Sequence, residues 1–350
     1  MATITKYLEI ILDGGDLTFE QGKALLDTVF EGGVAEVQIA AFLAAMRMKR
    51  ATPAEFAGLA KSLRDHAVPI KVDIDNLVDT CGTGGATIKT FNVSTAAALV
   101  AAGAGIYVAK HGNRGITSRC GSADVLEELG VKIDAEPDVI ARCIEQARIG
   151  FMFAPKFHPA MRFVQSIRKS LDFRTAFNIL GPLANPAGVK AQVMGVANEA
   201  LLDRIAETLK ILGARQAMVV HGQGMDEIST MGTTRIRWLV DDNIYSVEIE
   251  PADFGMSATS IDKLKSGDAI TSADIIREIL SGKEKGPRKD IVILNAAAAI
   301  MVGRTAKKGK IEMPGTFADD FESAIEQAED SIKDGKAMAC LEKLIEISNS

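Results

Sequence analysis

The residues best suited to chemistry begin with the stretch "DTCGTGGATIKTFNVST", residues 79–95, which runs from an apolar segment through Gly-Thr-Gly-Gly into an alanine-rich helical segment. Glycines let backbone N–H groups approach an anion closely, and the start of a helix offers further unpaired N–H groups. The stretch lacks the Gly-Lys-Ser/Thr ending of a P-loop and the GxGxxG spacing of a dinucleotide site. It therefore predicts a phosphate site of another kind, with a plain glycine turn and helix cap as the alternative.

A second stretch, "AKHGNRGITSRCGSADVLEELG" at residues 109–130, also follows an apolar run and precedes a helical pattern. In open α/β folds such a loop lies at the carboxyl edge of the sheet, where ligands bind. Cations and hydroxyls on a glycine-hinged loop suit a phosphate or diphosphate group, and a solvated basic loop is the alternative. The polar side chains here are those of Lys110, His111, Asn113, Arg114, Ser118, Arg119 and Ser122.

Adjacent acids follow a third apolar run, in "VVHGQGMDEIST". Asp226 and Glu227 are candidate Mg²⁺ ligands, because Mg²⁺ is held by one or two carboxylates together with substrate phosphate oxygens and water. Two solvent-facing acids after a strand are the alternative.

A fourth stretch, residues 153–188, places His158 and Arg168 around a helical run that is rich in apolar side chains. Arg168 is a candidate to bind the carboxylate of an aromatic acid. Pairing of Arg168 with a local acid such as Asp172 is the alternative.

The elements that position these residues alternate between short apolar runs and helical patterns. This alternation predicts an α/β fold with a mostly parallel central sheet flanked by helices. The first 67 residues are helical in pattern, with capping-box spacing at residues 18–21 and 52–55, and a hairpin spans residues 235–250. Residues 271–274 give a helix start signal and Gly282 a stop. The predicted strands cover residues 77–81, 106–109, 151–153, 193–196 and 217–221, and the predicted helices between them cover residues 95–104, 122–129, 137–147 and 199–212.

Composition limits the classes of protein that this sequence fits. The chain has 350 residues and a net charge of −6, with a pI near 5.4, which argues against a protein that coats nucleic acid. Its four cysteines form no CxxC pair and no metal-binding spacing with histidine. No signal peptide or membrane-spanning stretch is present in the pattern, so a cytoplasmic protein with no membrane partner is expected.

The quoted stretches together resemble anthranilate phosphoribosyltransferase. The matching strings are "GTGG", "NVST", "AKHGNR", "GSADVLEELG", "FAPKFHPAM", "RTAFNILGPLANPAG" and "GMDE", in the family's order over about residues 75–230. The resemblance implies a helical domain at residues 1–72, joined in space by about residues 166–188. It also implies an α/β domain at residues 73–350 that binds phosphoribosyl diphosphate (PRPP), and a homodimer formed through the helical part.

The resemblance further implies the reaction, which is Mg²⁺-dependent displacement of diphosphate from PRPP by the amine of anthranilate in L-tryptophan biosynthesis. No residue is assigned as a general base, because the aromatic amine is already neutral and nucleophilic. Ser94, Asp226 and Glu227 would hold two Mg²⁺ ions. Anthranilate would contact Gly82, Asn113, Arg168, His111 and His158. PRPP would contact Gly82, Gly85, Ala86, Thr90, Asn92, Val93, Ser94, Thr95, Lys110, His111, Gly112, Asn113, Arg114, Gly115, Ile116, Thr117, Ser118 and Ser122.

Ala86 departs from the family pattern, in which the loop normally reads Gly-Thr-Gly-Gly-Asp. Loss of this acid either relieves repulsion with diphosphate or removes an indirect metal contact. We therefore expect altered Mg²⁺ dependence with the fold and the reaction retained.

Two other functions are compatible with parts of the pattern. A pyrimidine-nucleoside phosphorylase has a related architecture and a phosphate loop, but the Arg168 region and the Asp226–Glu227 pair argue against it. A non-catalytic sugar-phosphate-binding relative is supported only by Ala86.

Overall fold

The computed structural model describes residues 3–115, 120–265, 267–307 and 317–350. The strands are β1 (Val78–Gly82), β2 (Val108–Gly112), β3 (Ile149–Phe153), β4 (Ala191–Gly195), β5 (Gln216–Gly222), β6 (Thr234–Val240) and β7 (Asn243–Ile249). The helices are α1 (Thr5–Leu12), α2 (Phe19–Phe30), α3 (Glu36–Lys49), α4 (Pro53–Asp65), α5 (Val93–Gly103), α6 (Ser122–Glu128), α7 (Pro137–Ala147), α8 (Ala154–Phe157), α9 (Arg162–Leu171), α10 (Phe177–Leu183), α11 (Leu202–Ile211), α12 (Ala269–Leu280), α13 (Pro287–Lys307), α14 (Phe317–Lys333) and α15 (Lys336–Ser348).

The seven strands form one sheet in the order β3-β2-β1-β4-β5-β6-β7. Strands β1 to β5 are parallel and β6 and β7 are antiparallel, so the predicted mostly parallel α/β sheet is confirmed. The chain runs outward from β1 through β2 to β3 and then returns to β4 on the other side of β1. The strand order therefore reverses beside β1, and ligands of such sheets bind at the carboxyl ends of strands at this reversal.

The N-terminal helices form a bundle whose helix starts agree with the predicted capping boxes. Thr18 and Thr52 each accept a hydrogen bond from the backbone N–H three residues later, and Gln21 and Glu55 bond back to them. Pro53 occupies the first turn of α4, as its spacing predicts.

Two large apolar clusters support the sheet. One contains α5, α12, α13, α14 and α15 against one face, and its helices α5 and α13 are buried over most of their length. The other joins the N-terminal bundle to α9, α10 and α11 and to the opposite face of β4 and β5. Residues such as Ile167 and Leu180 thus share a core with Phe42, and this packing supports the proposal that about residues 166–188 belong with the helical domain.

The structure corrects the predicted start of one helix. Helix α12 begins at Ala269 rather than in residues 271–274, because the Asp268 side chain accepts a hydrogen bond from the Thr271 N–H and caps the helix earlier. Gly282 follows the end of α12 with a positive φ of 72°, in agreement with the predicted stop. The hairpin turns through Asp241 and Asp242, both at positive φ. No helix in the part of the chain that the structure describes is long and apolar enough to cross a membrane.

Candidate active site

Three of the predicted loops lie along the carboxyl edge of the sheet. They follow β1, β2 and β5, and β1 lies beside the point where the strand order reverses. Because parallel strands end at one edge, the sheet brings the glycine loop, the basic loop and the acid pair together from positions far apart in sequence.

The glycine loop after β1 is held directly to the acid pair. The Gly84 N–H donates to Asp226 Oδ2 at 2.9 Å. Gly84 and Gly85 have φ of 62° and 77°, values that glycine adopts without strain. A Cβ at Gly82 would overlap the Asp226 carboxylate, so glycine there permits the close approach of the two loops.

Asp226 and Glu227 follow a tight turn after β5, in which Gln223 and Gly224 have positive φ. The Glu227 side chain is half-buried, and its carboxyl group is shielded from solvent. This desolvation, reinforced by the neighbouring Asp226 charge, raises the pKa of the Glu227 carboxyl well above its usual value. Thr90 Oγ1 lies 3.5 Å from Glu227 Oε2.

The start of α5 adds polar groups on the same side. Asn92 occupies the cap position, yet its side chain makes no cap hydrogen bond. Asn92 Oδ1 instead accepts from Ser272 Oγ at 2.8 Å and from Cys120 Sγ at 3.0 Å. Val93 and Thr95 are buried in the first turn of this helix.

Lys110 lies beneath the loops rather than on their surface. Its side chain is 2% exposed, and its Nζ donates to the Thr80 carbonyl at 2.6 Å and lies 3.4 Å from Ser94 Oγ. Burial lowers the pKa of Lys110, and the charges of Asp79 and Glu227 oppose that effect. The Lys110 Nζ thus lies beneath Thr80 and Ser94, and its charge interacts with that of Glu227.

The basic loop is fastened at its base by α6. Arg114 forms ion pairs with Asp124 at 3.0 Å and Glu127 at 2.7 Å, and its side chain is largely exposed. Asp124 also accepts from the N–H groups of Gly115 and Gly121. Gly112 ends β2, and Ser122 begins α6 with its Oγ 3.5 Å from the Asn113 carbonyl. Ile116, Thr117 and Ser118, which were predicted to contact PRPP, lie outside the described residues.

Two predicted anthranilate residues form a buried pair. The rings of His111 and His158 lie 4.9 Å apart, and both side chains are buried. Burial lowers the pKa of His111 to about 3, with the His158 charge as a second cause, and burial lowers that of His158 to about 4. The pair is therefore neutral at pH 7. His111 Nε2 and both His158 nitrogens make no well-formed hydrogen bond among the described residues, although backbone carbonyls near the two rings oppose the lowering of their pKa values.

Arg168 packs on an aromatic ring. Its guanidinium lies 5.3 Å from the centre of the Phe177 ring, and burial lowers its pKa. The ion pairs among the described residues include none between Arg168 and Asp172. The charge of Arg168 thus stays available for an acidic group.

Three residues near this edge have no function assigned to them by the sequence patterns. Asp79 is fully buried in β1, which raises its pKa to about 6, and it accepts from Asn185 Nδ2 at 2.9 Å. Arg174 donates to two carbonyls of the glycine loop. Asp79 could have been noticed in the sequence, because it is an acid inside the apolar run "LVDTC". Arg174 and Asn185 lie within "RTAFNILGPLANPAG", but nothing in their spacing indicates which residues they contact.

Family models match both parts of the chain. The model described as "Glycosyl transferase family, a/b domain" matches residues 74–338, and the one described as "Glycosyl transferase family, helical bundle domain" matches residues 5–67. The chain is 46% identical over 346 residues to the anthranilate phosphoribosyltransferase of Methanocorpusculum labreanum, covering 99% of this chain and 98% of that protein. It is also 46% identical to that of Roseiflexus castenholzii, covering 97% and 96%.

This chain belongs to the anthranilate phosphoribosyltransferase family. Solved structures of the family agree with the fold. The enzyme of Thermus thermophilus superposes with a TM-score of 0.89 at 36% identity, covering 98% of this chain and 99% of that one. The Saccharomyces cerevisiae anthranilate phosphoribosyltransferase in complex with PRPP and Mg superposes with a TM-score of 0.86 at 27% identity, covering 99% and 98%. Another structure of the yeast enzyme, at 26% identity, contains 4-fluoroanthranilate.

Proposed function

We propose that this protein transfers the 5-phosphoribosyl group from PRPP to the amine of anthranilate, giving N-(5-phosphoribosyl)anthranilate and diphosphate, in L-tryptophan biosynthesis. The observation that carries the proposal is the hydrogen bond of the Gly84 N–H to Asp226, because it joins the glycine loop to the acid pair at one sheet edge. Family membership and the yeast complexes with PRPP and 4-fluoroanthranilate support the same substrates.

The acid pair fits a divalent cation. Desolvation and the neighbouring Asp226 charge raise the pKa of Glu227, so two ionised carboxylates at this position call for a cation to compensate their charge. Ser94, Asp226 and Glu227 are the proposed ligands for Mg²⁺, and we propose two ions. No group of three or more His, Cys, Asp or Glu side chains among the described residues is arranged to hold a metal. Phosphate oxygens and water would therefore supply the remaining ligands, as is usual for Mg²⁺.

The chain's own groups then have separate tasks. When bound, Mg²⁺ neutralises charge on the departing diphosphate. In this proposal the glycine loop and the start of α5 bind the same anion, and the proposed PRPP residues include those at 85–86 and 92–95. As the bond from ribose carbon 1 to the diphosphate oxygen breaks, the anthranilate nitrogen forms a bond to that carbon and afterwards loses one proton.

The anthranilate side is assigned to Gly82, Asn113, Arg168, His111 and His158. The Arg168 cation would pair with the anthranilate carboxylate. The ring nitrogens of the neutral His111–His158 pair, which make no well-formed hydrogen bond among the described residues, would contact the same substrate. Positioning of the neutral amine supplies much of the acceleration in this proposal, so no general base is assigned.

The test follows the loss of anthranilate fluorescence after mixing with PRPP across a Mg²⁺ titration. The Asp226→Asn/Glu227→Gln variant should lower the rate by at least about 100-fold. A matched control is Asp241→Asn/Asp242→Asn, which neutralises two adjacent exposed acids in the β6–β7 turn, where Asn tolerates positive φ. Wild-type protein that binds PRPP without turnover at any Mg²⁺ level would contradict the proposal.

We also propose that the protein forms a homodimer through its helical bundle. Leu12, Val37 and Met48 are large apolar residues of the bundle that are exposed in the single chain. Sedimentation should show a dimer. Val37→Glu should weaken it, whereas Ile270→Glu, at an exposed position of α12, should not. A monomer at micromolar wild-type concentration would overturn this assignment.

A further inference from the structure

Arg174 lies between α9 and α10 and reaches the glycine loop from outside the sheet. Its Nη2 donates to the carbonyl of Thr83 at 3.0 Å and to that of Gly84 at 2.9 Å. A Cβ at Gly85 would overlap the Arg174 guanidinium, so the loop is closely fitted around this side chain. One arginine thus fixes two successive carbonyls of the loop.

Fixing these carbonyls also fixes the N–H groups that follow them. In a planar trans peptide the C=O and the next N–H point in opposite directions. The Thr83 carbonyl faces Arg174, and the Gly84 N–H accordingly points the other way and donates to Asp226. By the same geometry, the carbonyl of Gly84 directs the N–H of Gly85 away from Arg174. The arginine therefore sets which face of the loop carries donors.

The other end of Arg174 is tied to the helical bundle. Its backbone carbonyl accepts a hydrogen bond from Arg47 Nη1, on α3, and the Arg47 guanidinium also lies 5.1 Å from the centre of the Phe173 ring. Asp172, which ends α9, has a left-handed φ of 47° that turns the chain toward the loop. A continuous set of contacts thus runs from α3 through residues 172–174 to the glycine loop and on to Asp226.

Arg174 is placed to shape the loop rather than to bind the substrate itself. Its Nη2 is engaged by two main-chain oxygens, its Nη1 lies against Gly85, and its charge lies near that of Asp226. Lysine would place a single compact ammonium on a differently shaped stem, without the planar guanidinium that fits against Gly85.

We propose that Arg174 is a positioning residue that holds residues 83–85 in the conformation that accepts the diphosphate of PRPP, and that it couples this loop to the helical bundle through Arg47. The proposal rests on the proposed function. It concerns a side chain outside the residues assigned above to PRPP, anthranilate and Mg²⁺.

The first test compares steady-state constants for both substrates. Arg174→Ala should raise KM for PRPP about 30-fold, with changes in kcat and in KM for anthranilate below about threefold, since charged hydrogen bonds are lost only at the diphosphate loop. About 20 mM guanidinium should restore much of the lost PRPP affinity by occupying the vacated space, whereas methylammonium should not. Arg174→Lys should remain impaired. Arg142→Ala, which removes an exposed arginine bonded to Ser350, is the matched control and should behave like wild type.

Two results would overturn the positioning role. One is an unchanged KM for PRPP in Arg174→Ala, and the other is an equal rise in KM for both substrates with no response to guanidinium. Calorimetric titration with Mg²⁺-diphosphate distinguishes failure of this role from failure of the proposed function. If the wild type binds diphosphate but does not transfer ribose phosphate, Arg174→Ala should still bind diphosphate about 30-fold more weakly. Equal affinities would refute the role for Arg174.

A double-mutant cycle tests the coupling to the bundle. Arg47→Ala should raise KM for PRPP about threefold in the wild-type background and should add nothing when Arg174 is already alanine, because its effect passes through that side chain. Additive effects of the two substitutions would show that Arg47 does not act through Arg174.

Discussion

Ala86 occupies a buried position in the glycine loop, with a side chain that is 5% exposed. The loop contacts Asp226, and Glu227 follows it in the chain, so the site already contains two carboxylates. A third carboxylate here would add negative charge where the structure has only a methyl group. The residue thus bears on how strongly the proposed site attracts cations rather than on whether the loop forms.

Ala86→Asp should shift the Mg²⁺ concentration for half-maximal activity downward by about tenfold, because one more nearby charge favours the cation by roughly 1.4 kcal/mol. The measurement is the Mg²⁺ dependence of anthranilate consumption at saturating PRPP. Ala86→Asn has the same size as the aspartate variant without its charge, and it should retain the wild-type dependence. Identical profiles for the two variants would show that charge at this position is irrelevant.

The sequence predicts many of these site residues individually, but it does not predict which residues they contact. Glycine, acid and arginine positions followed from local strings and from the family resemblance. The Asp79–Asn185 hydrogen bond joins residues 106 positions apart, and Asn185 also donates to the Ala109 carbonyl, so it exists only once the strands are side by side. The sequence predicts that Lys110 contacts PRPP. Its burial beneath Ser94 depends on how neighbouring side chains pack, which no local pattern contains.

Helix starts show the same limit at the scale of elements. The boxes at Thr18 and Thr52 have the same spacing and both form, whereas at α12 the signal in residues 271–274 lost to Asp268, a competing cap only three residues before Thr271. Spacing predicts a helix start but does not rank adjacent candidates. It also does not predict burial: Glu55 is fully buried, and Gln21 is not.

The two capping boxes should therefore differ in their effect on stability. Glu55 accepts from the N–H groups of Leu17 and Thr52 and from Lys49 Nζ, all at 2.8 Å. Glu55→Ala leaves these donors without their partner and should lower the free energy of unfolding by about 3 kcal/mol. Gln21→Ala removes only a partly exposed cap contact and should cost about 0.5–1 kcal/mol.

Urea unfolding followed by far-ultraviolet circular dichroism measures both variants. The bundle and the sheet share the apolar cluster that includes α10 and α11. Unfolding of the bundle should therefore be visible as a loss of helical signal. Equal losses in the two variants would mean that burial of Glu55 contributes nothing beyond its cap.

At the scale of the whole molecule, the packing of the bundle against the α/β part encloses the histidine pair. The carbonyls of Leu63, at the end of the bundle, and of Ala184, after α10, lie near the His158 ring and oppose the lowering of its pKa. Desolvation outweighs them, and His111 and His158 remain neutral at pH values where an unfolded chain binds protons. Acidification therefore acts against this packing.

The sign follows from proton linkage. The folded-state pKa values of about 3 and 4 lie below the ordinary value of 6.5, so the stability contribution is present above pH 6.5 and is lost as the pH falls toward 4. Between pH 7 and pH 5 the loss should be about 2 kcal/mol for each histidine. Asp79 acts in the opposite direction, because its raised pKa of about 6 favours the folded state as it protonates.

Replacing both rings with groups that do not titrate isolates their share. In His111→Asn/His158→Asn, the free energy of unfolding should start lower at pH 7 but should fall less steeply than in the wild type between pH 7 and pH 5. Urea unfolding at half-unit pH steps gives the slope of the free energy of unfolding against pH for both proteins. In the difference between the two slopes, the contributions of Asp79 and of the other acids present in both proteins cancel. A variant slope as steep as that of the wild type would mean that these two rings take up protons in the folded state, so that the junction of bundle and sheet does not exclude charge.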